Sequence, residues 1–406
     1  MEKKSVLFAK IKIFSCIGLV LTLFVIGLAF FARPTISENE KRELTKFPTF
    51  TVESFLSGEY TSQVSIWFAD TYPLREPMIE LNSLMQSLYG VRDEQFVSAF
   101  NPTDDGKGEG VKGMYLNKDA AYQLYSFDEG KSDRYVSLIN DFAASVDGKA
   151  NVYDMVVPLH YQIALSESTA KKFGASDCEE AIDYMYSNLS SNVNEVDILP
   201  YLIEHNNEYL YYRTDHHWTA RGAYYAYVAF CKEKGITPTP LDKYKRVKFE
   251  GFLGTLYADA NQPMEMKKNP DYVEAFIPIG TNEETVYDSN GNVIKELAIV
   301  YTGADKYSAG NKYLAFIGGD QPLIKIKNPQ INDGSSIVVV KESYGNAFVP
   351  FLVDSYEYVY VIDYRHWDGD LADFVTKNKI DDVLFLNVIN CTSTGSRLDQ
   401  LDKIIK

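Results

Sequence analysis

Cysteine and histidine are both scarce in this chain of 406 residues, and their scarcity restricts the chemistry that it can perform. The four cysteines, Cys16, Cys178, Cys231 and Cys391, are scattered, with no CxxC pair and no metal-ligand spacing. No coenzyme-binding pattern occurs either, so we expect neither a metal nor a cofactor. A disulfide is neither required nor excluded by this spacing.

Positive charge is also in short supply. The 40 lysines and arginines are outnumbered by 56 aspartates and glutamates, which leaves a net charge of -16. This balance argues against nucleic acid or an anionic lipid surface as a partner. The 46% of hydrophobic residues is typical of a folded globular protein. The 30 tyrosines suit contact with carbohydrate, because each ring has an apolar face and a polar tip, although we expect most of them to fill and cover the core.

Charge is wholly absent from one run near the N-terminus, residues 13–32 (IFSCIGLVLTLFVIGLAFFA). A helix of about 20 residues rises roughly 30 Å, which matches the hydrocarbon core of a bilayer. A cleaved signal peptide would also lie at the N-terminus. However, this run is longer than the apolar region of a signal peptide, and no small-x-small cleavage site follows Phe31. The sequence therefore predicts one uncleaved transmembrane anchor at 13–32.

Basic residues lie on both sides of this run, so the positive-inside rule does not determine its orientation in the membrane. Before the run are Lys3, Lys4, Lys10 and Lys12, and after it are Arg33, Lys41, Arg42 and Lys46. A short basic tail, residues 1–12, is expected by default to stay in the cytoplasm, which places the rest of the chain outside the cell membrane. Residues 33–100 are predicted to form a stalk and a helical lead-in with one buried face. Residues 101–406 are predicted to form the main domain.

The C-terminal part of the chain predicts an α/β fold. Three near-continuous apolar strands, at 336–341 (SIVVVK), 358–363 (YVYVID) and 382–388 (DVLFLNV), alternate with helical stretches. This pattern is typical of a parallel sheet flanked by helices. Residues around 236–335 have many turn signals and are predicted to be a β-rich insertion, in which Asn290 and Gly291 indicate a type I′ hairpin.

Ligand sites in such sheets form beyond the carboxyl ends of the strands, where this chain places Ser343, Asp363 with Arg365, and Asn387 with Asn390. Ser343 lies at a turn between a strand and a helix, as the nucleophile does in many hydrolases. The start of that helix would offer unpaired amides to an oxyanion. The simpler interpretation is that Ser343 is only the N-cap of the helix.

A second polar group, TDHHWT (214–219), precedes a helix that is predicted to begin near Thr219 and to stop at Gly235. It puts two of the five histidines beside Asp215. A helix entry capped by Asp215, with solvated histidines, is the simpler interpretation. Together with Ser343, however, Asp215 and His217 supply the three parts of a Ser-His-Asp relay: a nucleophile, a base, and a carboxylate that sets the tautomer of the base.

TDHHWT resembles the signature of the bacterial DHHW protein family. Four further segments resemble that family too: SENEKRELTKFP (37–48), WFADTYPLR (67–75), KESYGNAFVPFL (341–352) and VIDYRHW (361–367). The family is similar in turn to the SGNH-type O-acetyltransferases that modify alginate and other exopolysaccharides. The resemblance implies an SGNH-like fold in which Asp215 is the carboxylate, His217 the base and Ser343 the nucleophile. Glu342 stands where Asp usually precedes the serine.

Five further residues near these motifs are candidates for contact with the substrate or the oxyanion: Tyr344, Arg365, Asn387, Trp218 and His216. The resemblance implies a cell-surface polysaccharide as the acyl acceptor. It also implies a separate, multi-spanning membrane-bound O-acyltransferase as the donor.

The expected function is therefore acyl transfer by a membrane-anchored, extracytoplasmic enzyme. An O-acetyltransferase and an acetylesterase share every step up to the acyl-enzyme, and the sequence does not separate them. A catalytically inactive glycan-binding or envelope-assembly protein is the main alternative. A metal-dependent phosphoesterase of the DHH type is a weaker one, because it needs further Asp-rich blocks, and Asp368 and Asp370 are the only close acidic pair near a strand end.

We expect the full-length chain to require detergent, and a chain of residues 33–406 to be recovered in the aqueous fraction, because the apolar run is then missing. Fractionation of cell lysates checks this, and full-length protein with an intact N-terminus in the aqueous fraction would contradict the anchor. Protease treatment of whole cells tests the orientation separately. Digestion of the main domain is expected, and its protection would reverse the topology.

Overall fold

The computed structural model describes residues 2–27, 33–37, 42–88, 94–99 and 112–405. The chain divides into two compact units, residues 1–91 with 261–264, and residues 92–260 with 265–406. The second unit begins before the boundary predicted at residue 101, because the strand Glu94–Ala99 pairs with the strand Lys112–Asn117.

The first unit is largely helical. Its elements are α1 Glu2–Gly27, β1 Ile36–Ser37, β2 Arg42–Glu43, α2 Val52–Leu56, α3 Glu59–Asp70 and α4 Arg75–Leu88. The expected single buried face is wrong: Trp67 is buried, but Leu81 and Met85 are 57% and 47% exposed. The chain turns between α3 and α4, so the apolar positions of the two helices do not form one continuous stripe.

Within the part of the chain that the structure describes, no helix combines the length and the apolar character needed to cross a membrane. The run predicted as an anchor coincides with α1 as far as Gly27, and residues 28–32 lie outside the described residues. The anchor stays a prediction from the sequence.

The remaining strands are β3 Glu94–Ala99, β4 Lys112–Asn117, β5 Ala120–Gln123, β6 Asn151–Val157, β7 Val193–Glu195, β8 Lys245–Phe252, β9 Asp271–Ile277, β10 Glu283–Tyr287, β11 Val293–Ala298, β12 Leu323–Lys327, β13 Ser336–Lys341, β14 Tyr358–Asp363 and β15 Asp382–Val388. The remaining helices are α5 Glu129–Ser145, α6 His160–Ala164, α7 Glu167–Lys172, α8 Cys178–Ser187, α9 Leu199–Glu204, α10 Ala220–Lys234, α11 Thr255–Asp259, α12 Met264–Lys268, α13 Gly345–Leu352, α14 Leu371–Asn378, α15 Ile389–Thr392 and α16 Gly395–Ile404.

A sheet of eight strands forms the core of the second unit, in the order β11-β10-β12-β14-β13-β15-β6-β7. The five strands from β14 to β7 run parallel. Every residue of β13 and β15 is buried, which means that both faces of these strands are covered. The predicted parallel sheet is confirmed for these central strands, and the whole is a mixed α/β fold.

The β-rich segment around 236–335 is more than an insertion beside this sheet. Three of its strands, β10, β11 and β12, extend the sheet antiparallel from β14, while β8 and β9 form a separate pair. The predicted hairpin joins β10 and β11, but the type I′ turn is wrong. A type I′ turn needs a positive φ at both central residues, but of Asn290 and Gly291 only Gly291 has one, of 81°. Asp288 closes a longer loop by accepting the N–H groups of Asn290 and Asn292 at 2.9 Å each.

The register of the central strands brings their carboxyl ends to one edge of the sheet. Lys341, the last residue of β13, pairs with Asp363, the last of β14, and with Leu386 near the end of β15. The polar residues that end or follow these strands therefore lie along the same edge: Glu342 and Ser343, Tyr364 and Arg365, and Asn387.

Helix α10 begins and ends as its sequence predicts. Thr219 is the N-cap, and its hydroxyl accepts the N–H groups of Arg221 and Gly222 at 3.2 and 3.4 Å. The same hydroxyl donates to the carbonyl oxygen of Tyr209 at 2.6 Å. Gly235 ends the helix with a φ of 76°, a left-handed conformation that glycine adopts without strain.

Replacing Thr219 with Ala should lower the free energy of unfolding by about 1–2 kcal/mol, because both the cap and the bond to Tyr209 are lost. Thr219→Ser keeps the hydroxyl and serves as the matched control, which should stay close to the wild type. Urea unfolding followed by circular dichroism measures both. Equal losses in the two variants would mean that the methyl group, and not the cap, matters here.

Candidate active site

The segment TDHHWT (214–219) forms a tight loop that lies against the turn of Ser343. Tyr211 and Trp218 form an isolated antiparallel bridge, so the chain reverses direction between them. The fully buried Trp218 donates from its indole Nε1 to the carbonyl oxygen of Tyr344 at 2.9 Å. This bond holds together two segments that are 126 positions apart in the sequence.

Two residues of the β-rich segment set the shape of this loop. Asp271, 1% exposed at the start of β9, accepts the N–H of Arg213 at 2.9 Å and both the N–H and the hydroxyl of Thr214 at 2.8 Å. Gly254 lies so close to Asp215 that a Cβ there would be 2.2 Å from the Asp215 carboxylate. Only glycine fits at position 254 without displacing that carboxylate.

Three side chains selected from the sequence are hydrogen-bonded in series. Ser343 Oγ lies 2.7 Å from His217 Nε2, and His217 Nδ1 lies 2.6 Å from Asp215 Oδ1. Asp215 and His217 are buried, and Ser343 is half-buried. A carboxylate that accepts the Nδ1 proton leaves Nε2 as the acceptor facing the serine hydroxyl. This geometry is what general-base activation of a serine requires.

Backbone donors hold the Asp215 carboxylate in this orientation. Its Oδ1 also accepts the N–H of His217 at 3.0 Å, and its Oδ2 accepts the N–H of Thr255 at 2.9 Å. With both oxygens bound, the carboxylate cannot rotate away from the imidazole without losing hydrogen bonds in a buried site.

The turn at Ser343 differs from the prediction in two ways. The N-cap of α13 is Tyr344, not Ser343. The amides expected to be unpaired are engaged, since Tyr344 N–H donates to Glu342 Oε2 at 3.3 Å and Gly345 N–H donates to the Glu342 carbonyl oxygen at 3.0 Å. Among the described residues, the N–H of Ser343 itself has no hydrogen-bond acceptor. The Glu342 side chain, which no local pattern orients, accounts for the engaged amide of Tyr344.

Tyr313 is one of the site residues that sequence reasoning missed. Its ring stacks on the imidazole of His217, with centroids 4.1 Å apart and planes 13° apart. Its hydroxyl donates to the carbonyl oxygen of Ser343 at 3.1 Å. Burial raises the pKa of Tyr313 well above its ordinary value, so the hydroxyl stays a neutral donor. Tyr313 thus contacts both His217 and Ser343, and no motif within 236–335 marks it.

Three of the candidate contact residues lie next to this series. Tyr344 and Trp218 are 1% and 0% exposed, and the Tyr344 hydroxyl donates to the His216 carbonyl oxygen, so both support the site from within the core. His216 is half-buried, its Nδ1 lies 2.5 Å from Thr255 Oγ1, and its ring centroid lies 3.9 Å from that of His217. Of the three, His216 has the exposure that contact with a substrate requires.

Arg365 is engaged in a network of charges at the end of β14. Its guanidinium bonds to Asp363 at 2.8 and 2.6 Å and to Asp320 at 2.8 Å. Lys341, fully buried, bonds to Asp363 at 3.0 Å and to Asp320 at 3.4 Å. Burial alone would raise the pKa of Asp320, but the charges of Lys341 and Arg365 outweigh it and hold that pKa well below its usual range.

Asn387 is 1% exposed and lies in a separate buried network. Its Oδ1 accepts the hydroxyl of Tyr364 at 2.9 Å, and its Nδ2 donates to the hydroxyl of Tyr135 at 3.4 Å. Both ends of its amide therefore have partners within the protein. Asn390, just after β15, differs because its buried Nδ2 has no partner among the described residues.

Among the residues that the structure describes, two groups of side chains have ligand atoms within 4.8 Å of one another, as a metal ion would need: Asp215, His216 and His217, and Asp320, Asp363 and His366. In the first group, the Asp215 oxygens already accept His217 and Thr255 donors. In the second, an added cation would lie beside Lys341 and Arg365, which would repel it.

The match to a known protein family covers these residues. Residues 40–105 and 99–362 match the DHHW protein family, a range that includes Asp215, His217 and Ser343. The chain belongs to the DHHW protein family. The structure of a DHHW family protein from Eubacterium siraeum is similar to this one, with 32% sequence identity and a TM-score of 0.66. The likeness covers 73% of this chain and 96% of that one.

PatB1 from Bacillus cereus shares the fold of this DHHW protein. The two are 19% identical with a TM-score of 0.57, over 70% of this chain and 98% of PatB1. A structure of PatB1 with a sulfonyl adduct gives the same TM-score at 18% identity, over 70% of this chain and 96% of that one. The O-acetyltransferase domain of Pseudomonas putida AlgJ aligns over 70% of this chain and 96% of its own, at 10% identity and a TM-score of 0.38, which is too low to support an inference. No curated protein is significantly similar to this DHHW protein.

Replacing His217 with Ala should lower turnover of an activated acetyl ester by several orders of magnitude, because the hydrogen bond between Ser343 Oγ and His217 Nε2 is then lost. His216→Ala is the matched control and should cost distinctly less, since His216 bonds to Thr255 and not to Ser343. Hydrolysis of p-nitrophenyl acetate by the purified variants measures both. The opposite ranking would show that the base has been assigned to the wrong histidine.

Proposed function

We propose that this DHHW protein is an SGNH-type acyl-transfer enzyme that uses Ser343, His217 and Asp215 to move an acetyl group onto or off a cell-surface polysaccharide. The observation that carries the proposal is the hydrogen-bonded series, with 2.7 Å between Ser343 Oγ and His217 Nε2 and 2.6 Å between His217 Nδ1 and Asp215 Oδ1. A buried base paired with a buried carboxylate is what distinguishes a reactive serine from an ordinary one.

In the first half-reaction His217 Nε2 takes the proton of Ser343 while Oγ attacks the acetyl carbonyl carbon. The bond between that carbon and the leaving oxygen then breaks, and the imidazolium returns its proton to the leaving alcohol. Ser343 is left as an acetyl ester. In the second half-reaction His217 takes a proton from the acceptor hydroxyl, and the same steps run in reverse. Asp215 stabilises the imidazolium in both halves.

The negative charge that develops on the carbonyl oxygen needs hydrogen-bond donors. The N–H of Ser343 suits this role, because it has no acceptor among the described residues and is attached to the nucleophile itself. The N–H of Tyr344 is held by Glu342 at 3.3 Å, a long bond that an oxyanion could replace.

The cellular setting is supported by the sequence. The uncharged run at 13–32 supports a single-pass anchor with the main domain outside the cell membrane. The lack of a coenzyme-binding pattern supports a membrane-bound O-acyltransferase as the source of the acetyl group. A sugar hydroxyl as the acceptor makes the enzyme an O-acetyltransferase, and water makes it an acetylesterase.

The test uses phenylmethylsulfonyl fluoride on the full-length protein in detergent. Intact mass should show one added sulfonyl group, peptide mapping should locate it on Ser343, and turnover of p-nitrophenyl acetate should stop. Ser343→Ala should lose both the adduct and the turnover, the latter by several orders of magnitude, because no other group can replace the nucleophile.

The matched control is Ser393→Ala, because Ser393 is another half-buried serine, located just after α15. This variant should react like the wild type. A wild-type protein that neither takes up the sulfonyl group nor turns over the ester would contradict the proposal and favour the catalytically inactive glycan-binding protein.

A further inference from the structure

The carboxyl group of Glu342 is hydrogen-bonded to Ser343 and to two backbone amides. Glu342 is 4% exposed, and both of its carboxyl oxygens are bound. Oε1 accepts the N–H of Val388 at 3.2 Å, and Oε2 accepts the N–H of Tyr344 at 3.3 Å. Oε2 also lies 3.2 Å from Ser343 Oγ. The reactive hydroxyl therefore has two neighbours, the carboxyl group of Glu342 and the imidazole of His217 at 2.7 Å.

The single proton of Ser343 can serve only one of these neighbours at a time. When Glu342 is ionised, its carboxylate is an acceptor only, and it competes with His217 for that proton. When Glu342 is neutral, it carries a proton of its own and can donate to Ser343 Oγ. The serine proton is then left to His217, which is the hydrogen bond that base catalysis needs.

We propose that Glu342 is a positioning residue that, as a neutral carboxyl group, donates to Ser343 Oγ and turns the serine proton toward His217. The inference rests on the proposed function of Ser343 as nucleophile. Ionisation of Glu342 also places a negative charge beside the oxygen that attacks and near the oxyanion that forms, which disfavours the same step.

Burial and neighbouring charged groups determine whether the Glu342 carboxyl group is neutral or ionised. The titratable groups that face it come from four parts of the second unit: His217 in the loop, Tyr313, Tyr344 at the start of α13, and Tyr364 with Arg365 after β14. Burial raises the pKa of Glu342, and the charges of Arg365 and His217 offset this only in part. Arg365 is a weak counter-charge here, because its guanidinium is already bonded to Asp363 and Asp320.

The test compares the wild type with Glu342→Gln, whose amide keeps the shape of the neutral carboxyl group and a donor toward Ser343 Oγ, but loses the bond that Oε2 accepts from the N–H of Tyr344. The rate constant for sulfonylation of Ser343 by phenylmethylsulfonyl fluoride is followed by intact mass from about pH 5 to about pH 9. The variant rate is divided by the wild-type rate at each pH, because Ser343, His217 and the reagent are common to both proteins. We expect that ratio to rise with pH, by up to tenfold for each pH unit above the pKa of Glu342, as the wild type loses its neutral carboxyl group.

A ratio that does not change with pH would overturn the role of Glu342 while leaving Ser343 as the nucleophile. A wild-type protein that takes up no sulfonyl group at any pH would overturn both this inference and the proposed function. Thermal unfolding shows whether Glu342→Gln folds. If the variant does not fold, the pH dependence of the wild-type sulfonylation rate tests the inference alone. We expect this rate to fall at alkaline pH, and a rate that only rises with pH would overturn the inference.

Discussion

The hydrogen bond from the indole of Trp218 to the carbonyl oxygen of Tyr344 is the interaction on which the site depends. It joins the histidine loop to the turn of the serine, which the sequence separates by 126 positions. Without that acceptor a buried N–H would remain unsatisfied, at a cost of about 1–3 kcal/mol. The alternative of moving Trp218 would expose a fully buried aromatic ring. Packing and hydrogen bonding therefore both oppose separation of His217 from Ser343.

The sheet edge beneath this contact is held by balanced charge. Lys341 and Arg365 supply two positive charges, and Asp363 and Asp320 supply two negative ones. A buried lysine such as Lys341 is tolerated only when it is paired, because an isolated charge in the core costs several kcal/mol. The network ties the ends of β13 and β14 together, so the turn that begins at Glu342 starts from a rigid base. The guanidinium of Arg365 is therefore used in these ion pairs, although Arg365 lies at the carboxyl edge of the sheet.

The β-rich segment connects the fold to the chemistry. It extends the central sheet through β10, β11 and β12, and it also supplies three groups that shape the site: Thr255 on the Asp215 carboxylate, Asp271 on the loop, and Tyr313 on His217. These contacts join residues that are 40 (Asp215 to Thr255), 57 (Thr214 to Asp271) and 96 (His217 to Tyr313) positions apart. The segment is therefore part of the candidate site, since removing it would take away the contacts that support both His217 and the Asp215 carboxylate.

The sequence by itself determined the features that depend on local pattern. Continuous apolar runs mark β13, β14 and β15, and Thr219 and Gly235 mark the ends of α10. The polar turn after β13 selects Ser343, and the TDHHWT motif before α10 selects Asp215 and His217. Only the tertiary structure decided which of the remaining polar groups are free to act. In the folded protein the Tyr344 amide at the start of α13 donates to Glu342, and the ring of Tyr313 stacks on the imidazole of His217. The side chain of Asn387 is hydrogen-bonded to Tyr135 and Tyr364. The reason is physical: period and capping are set by neighbours in the chain, whereas the partner of a buried polar group is set by whichever distant segment the packing brings within about 3 Å.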